Sequence, residues 1–365
     1  MGRPKGSKNK KTIQKERVKT IKKLPTWLII ILVIAIIAFG VWYYFNVYVD
    51  KPNIDNPQDE IKNNVKDGTI YLGKEGTTSP ELKVTFLDLY GNSNNQQIGD
   101  SIFIEYGDID ILIDAGEKAS GSCTVVPFLL EHVEDKKLEM IITTHADSDH
   151  LGGMVGLSGK DMYGALEAPG IEYQYIVDFG YEADSKVYKD YVELRNARVQ
   201  EGATYLSIKE IFNEENLEAA AHFYLGEDMF LDFLDYKTYG MADIKESNYI
   251  DTIHLYNEPV PHIKFAPFEK SSFVSQCFST KILLCGDSEK KEESYLTKLN
   301  IGKVDVFKAN HHGSPTSNTK NLLDQIRPEY VVICSSEENK YNLPKKTIIS
   351  RLIEYTQNVY ATFIS

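Results

Sequence analysis

The chain has 365 residues, 42% of them hydrophobic and 25% charged, which excludes a disordered or fibrous protein. Its 24 Gly and 13 Pro are too few for low-complexity sequence, and the length allows one large α/β domain or two smaller ones. The net charge of −13 averages two unlike parts: residues 1–23 hold ten Lys or Arg and one acid, Glu16, leaving 30 basic and 52 acidic side chains in the rest.

Residues 1–23 read as a basic head on the cytoplasmic side of a membrane. The opening Gly2-Arg3-Pro4-Lys5-Gly6 resembles an AT-hook core, which would make the chain a cytoplasmic DNA-associated protein. A single short copy is better explained as a topogenic segment drawn to anionic lipid. Residues 24–49 carry no charged side chain, and Leu28 to Phe39 is an unbroken apolar run. With Trp27 at one end and Trp42, Tyr43 and Tyr44 at the other, this stretch is expected to be a single transmembrane helix. The cations before it and Asp50, Asp55, Asp59 and Glu60 after it place the N-terminus in the cytoplasm and the body outside the cell membrane. Residues 50–80 read as a linker, and residues 81–365 as the functional domain.

Within that domain, strands are expected at 82–90, 101–106, 109–114, 138–144, 174–179, 228–234, 272–278, 280–285, 304–309 and 329–334. The second and third form a hairpin around Gly107-Asp108. Helices are expected at 123–134, 186–201, 289–299, 318–326 and 346–356. Interleaved strands and helices without an internal repeat describe an α/β domain with helices covering sheet faces.

Chemistry concentrates in His145-Ala146-Asp147-Ser148-Asp149-His150, which follows a strand ending in Thr143-Thr144. Two imidazoles and two carboxylates at a strand-to-helix turn can converge on one centre, and mixed nitrogen and oxygen donors suit zinc or manganese. Further strand ends carry Leu112-Ile113-Asp114-Ala115-Gly116, Cys285-Gly286-Asp287-Ser288 and Asn310-His311-His312-Gly313-Ser314. Ligands at the carboxyl ends of several strands are how an α/β fold builds a site.

With these motifs in order, the chain resembles the metallo-β-lactamase superfamily, and within it the extracytoplasmic metallohydrolase domain of ComEC-type competence proteins. The signature His-x-His-x-Asp-His stands here with Asp147 as its second histidine. Leu87-Asp88 and Gly99-Asp100-Ser101 match the opening motif, with residues 89–98 inserted between them as a polar loop. Asn339, Tyr341 and Pro344 match the last motif, but Leu343 stands where it has histidine.

The resemblance implies an αββα sandwich of two packed mixed sheets flanked by helices, and two divalent metal ions, Zn or Mn. His145 and Asp147 would hold one metal and Asp149 and His150 the other. Asp287 would bridge them, and His311 or His312 would complete the second site. Asp114 would orient a ligand imidazole. Asp147 or Asp149 would take a proton from the attacking water, and Ser314 would bind substrate phosphate. A third histidine ligand would have to come from His222, His254 or His262. The four cysteines, at 123, 277, 285 and 334, allow three pairings, and Cys285 fits a buried small hydrophobe better than a ligand.

The expected function is a membrane-anchored, extracytoplasmic metal-dependent hydrolase: a phosphodiesterase or nuclease linked to DNA uptake. A single span forms no DNA pore by itself, and an acidic body opposes a broad nucleic-acid footprint. Around the His-His motif only Lys303, Lys308 and Lys320 offer positive charge. Cell-wall or choline-phosphate diesters are therefore the alternative substrates, and a catalytically impaired metal-binding scaffold, favoured by Leu343, is the alternative of another class.

Overall fold

The computed structural model describes residues 65–66, 69–72, 81–209, 222–226, 229–234, 253–257 and 280–363. The basic head at 1–23, the span expected at 24–49 and the strand expected at 272–278 lie outside the described residues. Among the described residues no helix is long and apolar enough to cross a membrane.

In chain order the strands are β1 (Val65–Lys66), β2 (Thr69–Tyr71), β3 (Leu82–Phe86), β4 (Ile102–Tyr106), β5 (Ile109–Ile113), β6 (Lys137–Thr143), β7 (Glu172–Asp178) and β8 (Thr204–Ser207). They continue with β9 (His222–Gly226), β10 (Met229–Phe233), β11 (Ile253–Asn257), β12 (Lys281–Leu284), β13 (Val306–Lys308), β14 (Tyr330–Ile333) and β15 (Asn358–Ala361). β3 to β8 form one sheet in sequence order, antiparallel as far as β5 and parallel from there. The other sheet runs β1-β2-β9-β10-β11-β12-β13-β14-β15, antiparallel from β9 to β12 and parallel from β12 to β15. β1 and β2 fall within residues 50–80, so part of the stretch read as linker is sheet, with β2 parallel to β9.

The strands are apolar on both faces because both faces are covered. Successive side chains alternate between the two sides. Ile102, Ile104, Ile111, Ile113, Met140 and Ile142 point between the sheets, toward Phe223, Leu231, Phe233, Leu255, Ile282 and Leu284. The interleaved Phe103, Leu112 and Ile141 face outward, onto helices α1 (Val126–His132), α2 (Ser148–Val155) and α3 (Lys186–Gln200). On the second sheet Leu283, Phe307, Val331 and Ile333 pack against α4 (Lys290–Leu296), α5 (Lys320–Ile326) and α6 (Lys346–Ile353). The result is a helix–sheet–sheet–helix sandwich. Each fully buried side chain of this size contributes about 1.5–3 kcal/mol.

Local signals place the helices. Ser185 caps α3 by accepting from Tyr188 N at 3.2 Å, and Thr319 caps α5 by accepting from Leu322 N at 3.3 Å. At α4, Glu289 and Glu292 form a reciprocal capping box. The helix expected at 123–134 begins earlier, at Lys118, and passes through a π-helical turn at Gly121–Val125 before α1. The inserted residues 89–98 form a small excursion bridged between Tyr90 and Gln96.

One carboxylate stands out on the β4–β5 hairpin. Burial, reinforced by the nearby charges of Glu139 and Glu105, pushes Asp110 up to about 7. A carboxyl whose folded pKa exceeds its unfolded value loses stability as pH rises from about 4 to about 7, and the loss is complete above that. Asp110→Asn is therefore expected to stabilise the protein at pH 8 by about 1–2 kcal/mol after allowance for solvent screening, and to be neutral below pH 4. Urea denaturation at the two pH values measures it, and equal gains at both would contradict the assignment.

Candidate metal centre

The carboxyl ends of β5 and β6 in one sheet, and of β12 and β13 in the other, meet at one end of the sandwich, and every motif residue sits there. Asp114 follows β5 with a left-handed φ of 56°, a conformation that Asp tolerates better than most residues. Its Oδ1 accepts from Thr144 N at 2.8 Å, and its Oδ2 accepts from Thr144 Oγ1 at 2.7 Å and from His150 Nδ1 at 2.8 Å. α2, which carries His150, reaches this strand end because Gly153 has no side chain. A Cβ there would lie 1.9 Å from the Ala115 carbonyl oxygen.

Because Nδ1 of His150 donates to Asp114, its Nε2 is the ring atom turned to the site, and that atom lies 3.3 Å from Asp287 Oδ1. His312 is held in the same sense. Its Nδ1 donates to the Cys334 carbonyl at 2.8 Å, while its Nε2 lies 3.4 Å from Asp149 Oδ2 and 3.5 Å from Asp287 Oδ1. His145, with Nδ1 3.0 Å from Thr144 Oγ1, has its ring centroid 4.0 Å from that of His150, the two planes tilted by 50°. The Nε2 atoms of all three histidines and Asp287 Oδ1 are buried without a hydrogen-bond partner.

His145, His150 and Asp287 bring ligand atoms within 4.8 Å of one another, and so do Asp100, His150 and His312. The second group is a different kind of cluster. Asp100 faces the Nδ1 atoms of His150 and His312, at 3.8 and 3.4 Å, and both of those already donate elsewhere. Asp100 is instead ion-paired with Lys308, whose fully buried ammonium also donates to the Gly286 carbonyl at 2.8 Å and lies 3.8 Å from Asp287 Oδ1. The sequence suggested neither role: Asp100 belongs to the Gly-Asp-Ser motif, and Lys308 looked like a surface cation available to substrate.

Charge explains the rest of the geometry. Asp100, Asp114, Asp149 and Asp287 crowd into the site, and among the described residues Lys308 is the only lysine or arginine ion-paired with any of them. Burial would lower His150, but Asp287, Asp100 and Asp114 raise it well above the ordinary imidazole range. His312 is likewise raised against its burial, chiefly by Asp287 and Asp100. Burial and the neighbouring His150 lower His145. Asp149 and Asp287 lie below the usual carboxylate range; burial opposes this, but the imidazoles outweigh it. Without a bound cation, protons on His150 and His312 carry the missing positive charge. Orphaned imidazole nitrogens, buried carboxylate oxygen and a charge deficit together fit divalent metal.

Asp147 stands apart: its side chain is 72% exposed and its Oδ2 lies 3.9 Å from His145 Nε2. His311 is one-third exposed, with Nε2 3.5 Å from Asp287 Oδ2 and Nδ1 3.6 Å from Glu289 Oε1. His311 and His312 both adopt left-handed φ, 50° and 51°, at about 1–2 kcal/mol each. Gly313 follows at φ 79°, where a Cβ would lie 2.6 Å from Pro344 Cβ. Cys123, Cys285 and Cys334 are free thiols, Cys277 lies outside the described residues, and Cys285 is core. His222 and His254 are positions on β9 and β11 in register with Asp232, while His262 lies outside the described residues.

Asp147, Asp149, Asp287, His311 and His312 form the floor of an open cleft of about 450 Å³, and Ser314, Pro315, Tyr341, Leu343 and Lys345 complete its lining. Ser314 also bonds Thr316 Oγ1 at 2.9 Å. The Tyr341–Lys345 loop is folded around Asn339, which accepts from Tyr341 N and Leu343 N and donates to the Leu343 carbonyl at 2.6 Å.

Comparison with known proteins adds the family. A family model described as metallo-beta-lactamase superfamily matches residues 95–336. Recombination protein 2 of Haemophilus influenzae is 38% identical over 84 residues, which cover 23% of this chain and 10% of that protein. ComE operon protein 3 of Bacillus subtilis is 32% identical over 82 residues, 22% of this chain and 10% of that one. The chain thus spans about a tenth of the length of these curated relatives. Among solved structures, the metallo-beta-lactamase fold protein YhfI from Bacillus subtilis aligns with a TM-score of 0.43 at 10% identity, covering 77% of this chain and 96% of that one.

Two outcomes follow from the geometry. Asp114→Asn tolerates the left-handed backbone but removes the charged acceptor behind His150, and is expected to weaken metal binding about 10- to 100-fold by equilibrium dialysis. An unchanged affinity would show that Asp114 does not orient a ligand. Because His150 and His312 must lose protons to bind metal, uptake at pH 6.5 is expected to release protons. Calorimetric heats would then vary with the ionisation enthalpy of the buffer, and buffer-independent heats would contradict this.

Proposed function

The chain belongs to the metallo-beta-lactamase superfamily, as a hydrolase of that fold, and we propose that it is a metal-dependent phosphodiesterase. The observation that carries this reading is the set of unsatisfied ligand atoms on His145, His150, His312 and Asp287, of which His312 and Asp287 line an open cleft. In this reading His145, His150 and Asp287 hold one divalent ion, Zn or Mn, and Asp149, His312 and Asp287 a second, while exposed Asp147 has the weaker claim to a ligand role. Such ions supply Lewis acidity toward a phosphoryl oxygen and acidify water near neutral pH.

The chain's own groups do the remaining work. Asp149 Oδ2 accepts a proton from the attacking water. Lys345 and the Ser314 hydroxyl face the same cleft and hold the non-bridging phosphate oxygens. His311, which is open to solvent and lies beside Glu289, is placed to hand a proton to the leaving oxygen. This gives the cleft a proton donor although Leu343 stands at the position where the sequence suggested one would be missing.

For substrate, the matched stretches of two competence-related proteins support DNA, and with it a role in DNA uptake. The single span at residues 24–49 and the domain outside the cell membrane rest on the sequence alone, on its uncharged apolar run and the basic residues before it. The acidic body opposes a long duplex footprint, and Lys308, one of three cations near the motif, is buried in its ion pair with Asp100. A second reading rests on Tyr341, whose half-exposed ring already holds the Lys340 ammonium 4.7 Å from its centroid. The same attraction would favour the quaternary ammonium of a choline-phosphate ester.

The purified chain, loaded with Zn or Mn, is expected to hydrolyse bis-p-nitrophenyl phosphate, and Asp149→Ala to lower turnover by about 10²- to 10⁴-fold. Metal uptake without turnover with any divalent ion would instead support a metal-binding scaffold. Linear DNA assayed beside choline-phosphate esters separates the two substrate readings, and protease digestion of intact cells tests the external location.

A further inference from the structure

The turn that carries His311 and His312 is left-handed at two successive non-glycine residues, a shape that histidine visits more often than most residues but that still costs energy at each. It is held from behind. Glu293, in the middle of α4, is fully buried. Its Oε1 accepts from Asn310 Nδ2 at 2.8 Å and from Asn318 N at 2.5 Å, and its Oε2 accepts from Thr319 N at 2.8 Å. The two asparagines also close on each other: Asn310 N donates to Asn318 Oδ1, and Asn318 Nδ2 donates to the Asn310 carbonyl, both at 2.9 Å. The segment from Asn310 to Thr319 is thus pinned at both ends by one carboxylate, and the pinned segment presents His312 Nε2 to Asp149 and Asp287.

The chemistry of this clamp is one-sided. Three N–H groups donate to both oxygens of Glu293, and the Thr319 hydroxyl bonds it as well, so the position favours two acceptor oxygens, as a carboxylate provides. A glutamine of the same shape would turn an NH₂ toward at least one of those donors. A carboxylate in α4 therefore fixes the entry and exit of a strained turn on a different element.

We propose that Glu293 is a positioning residue for the metal centre, fixing the His311–His312 turn and thereby setting the affinity of the site that uses His312. This rests on the metal-centre reading above. The test uses the full chain, with cobalt(II) alone as the probe, followed by dialysis and by visible absorption. Binding is measured well below the thermal transition of each variant, with circular dichroism as the check of folding. Glu293→Gln is expected to weaken cobalt binding about 10- to 100-fold and to alter the absorption band, while Glu293→Asp, still all-acceptor, recovers part of the affinity. Asn318→Gly keeps the positive φ of that residue but removes the amide pair, and is expected to give a smaller weakening. If Glu293→Gln does not fold, Asn318→Gly carries the test. A lower thermal midpoint with unchanged cobalt affinity and spectrum would make Glu293 a structural residue only and overturn the proposal. A wild-type chain that takes up no cobalt would bring down the metal-centre reading, and the inference with it.

Discussion

The ion pair between Asp100 and Lys308 lies under the floor of the site, with both groups almost completely removed from water. Two such charges are tolerated in a protein interior only when they face each other and their remaining hydrogen-bonding capacity is filled. The Gly286 carbonyl fills part of it for Lys308. Once Asp100 is neutralised in this way, the other buried carboxylates must find their counter-charge above the floor, toward the cleft. There, among the described residues, the imidazoles of His150 and His312 supply most of it, and an imidazole can carry a proton or exchange it for a metal.

Orientation follows from the same layer. The Nδ1 atoms of His150 and His312 are turned to the interior, toward Asp114 and the Cys334 carbonyl, which directs both Nε2 atoms to the shared oxygen of Asp287. The backbone is bent to permit this at Asp114, His311 and His312, all with positive φ. Strain of this kind persists only where surrounding contacts over-determine it. The sheet ends supply those contacts, because four well-packed strands deliver the bent segments to one place.

Much of this was legible in the sequence. Apolar runs of four to seven residues marked the central strands, since strands covered on both faces need no polar alternation. Four ligand-rich segments, each directly after such a run, marked the site. The edges were harder to see: β1, β2 and β15 are short, and their polar residues carry no period strong enough to separate strand from linker. The Asp100–Lys308 pair was hidden for a different reason. A lysine at the end of a strand looks like any surface lysine until the opposite carboxylate, about 200 positions away, is placed beside it. Asp147 shows the converse, since motif spacing put it among the ligands while its side chain lies largely in solvent. Spacing reports which residues share a turn, not which way each side chain leaves it.

The two sheets contribute to the site from opposite halves of the chain. His145, Asp149 and His150 follow β6 of the first sheet, whereas Asp287 and His312 follow β12 and β13 of the second. During synthesis the first sheet can pair all of its strands before Asp287 exists, so the earlier histidines alone would make an incomplete chelate. On the proposed metal reading, an ion would be held at full strength only once both sheets have been made and have closed on each other.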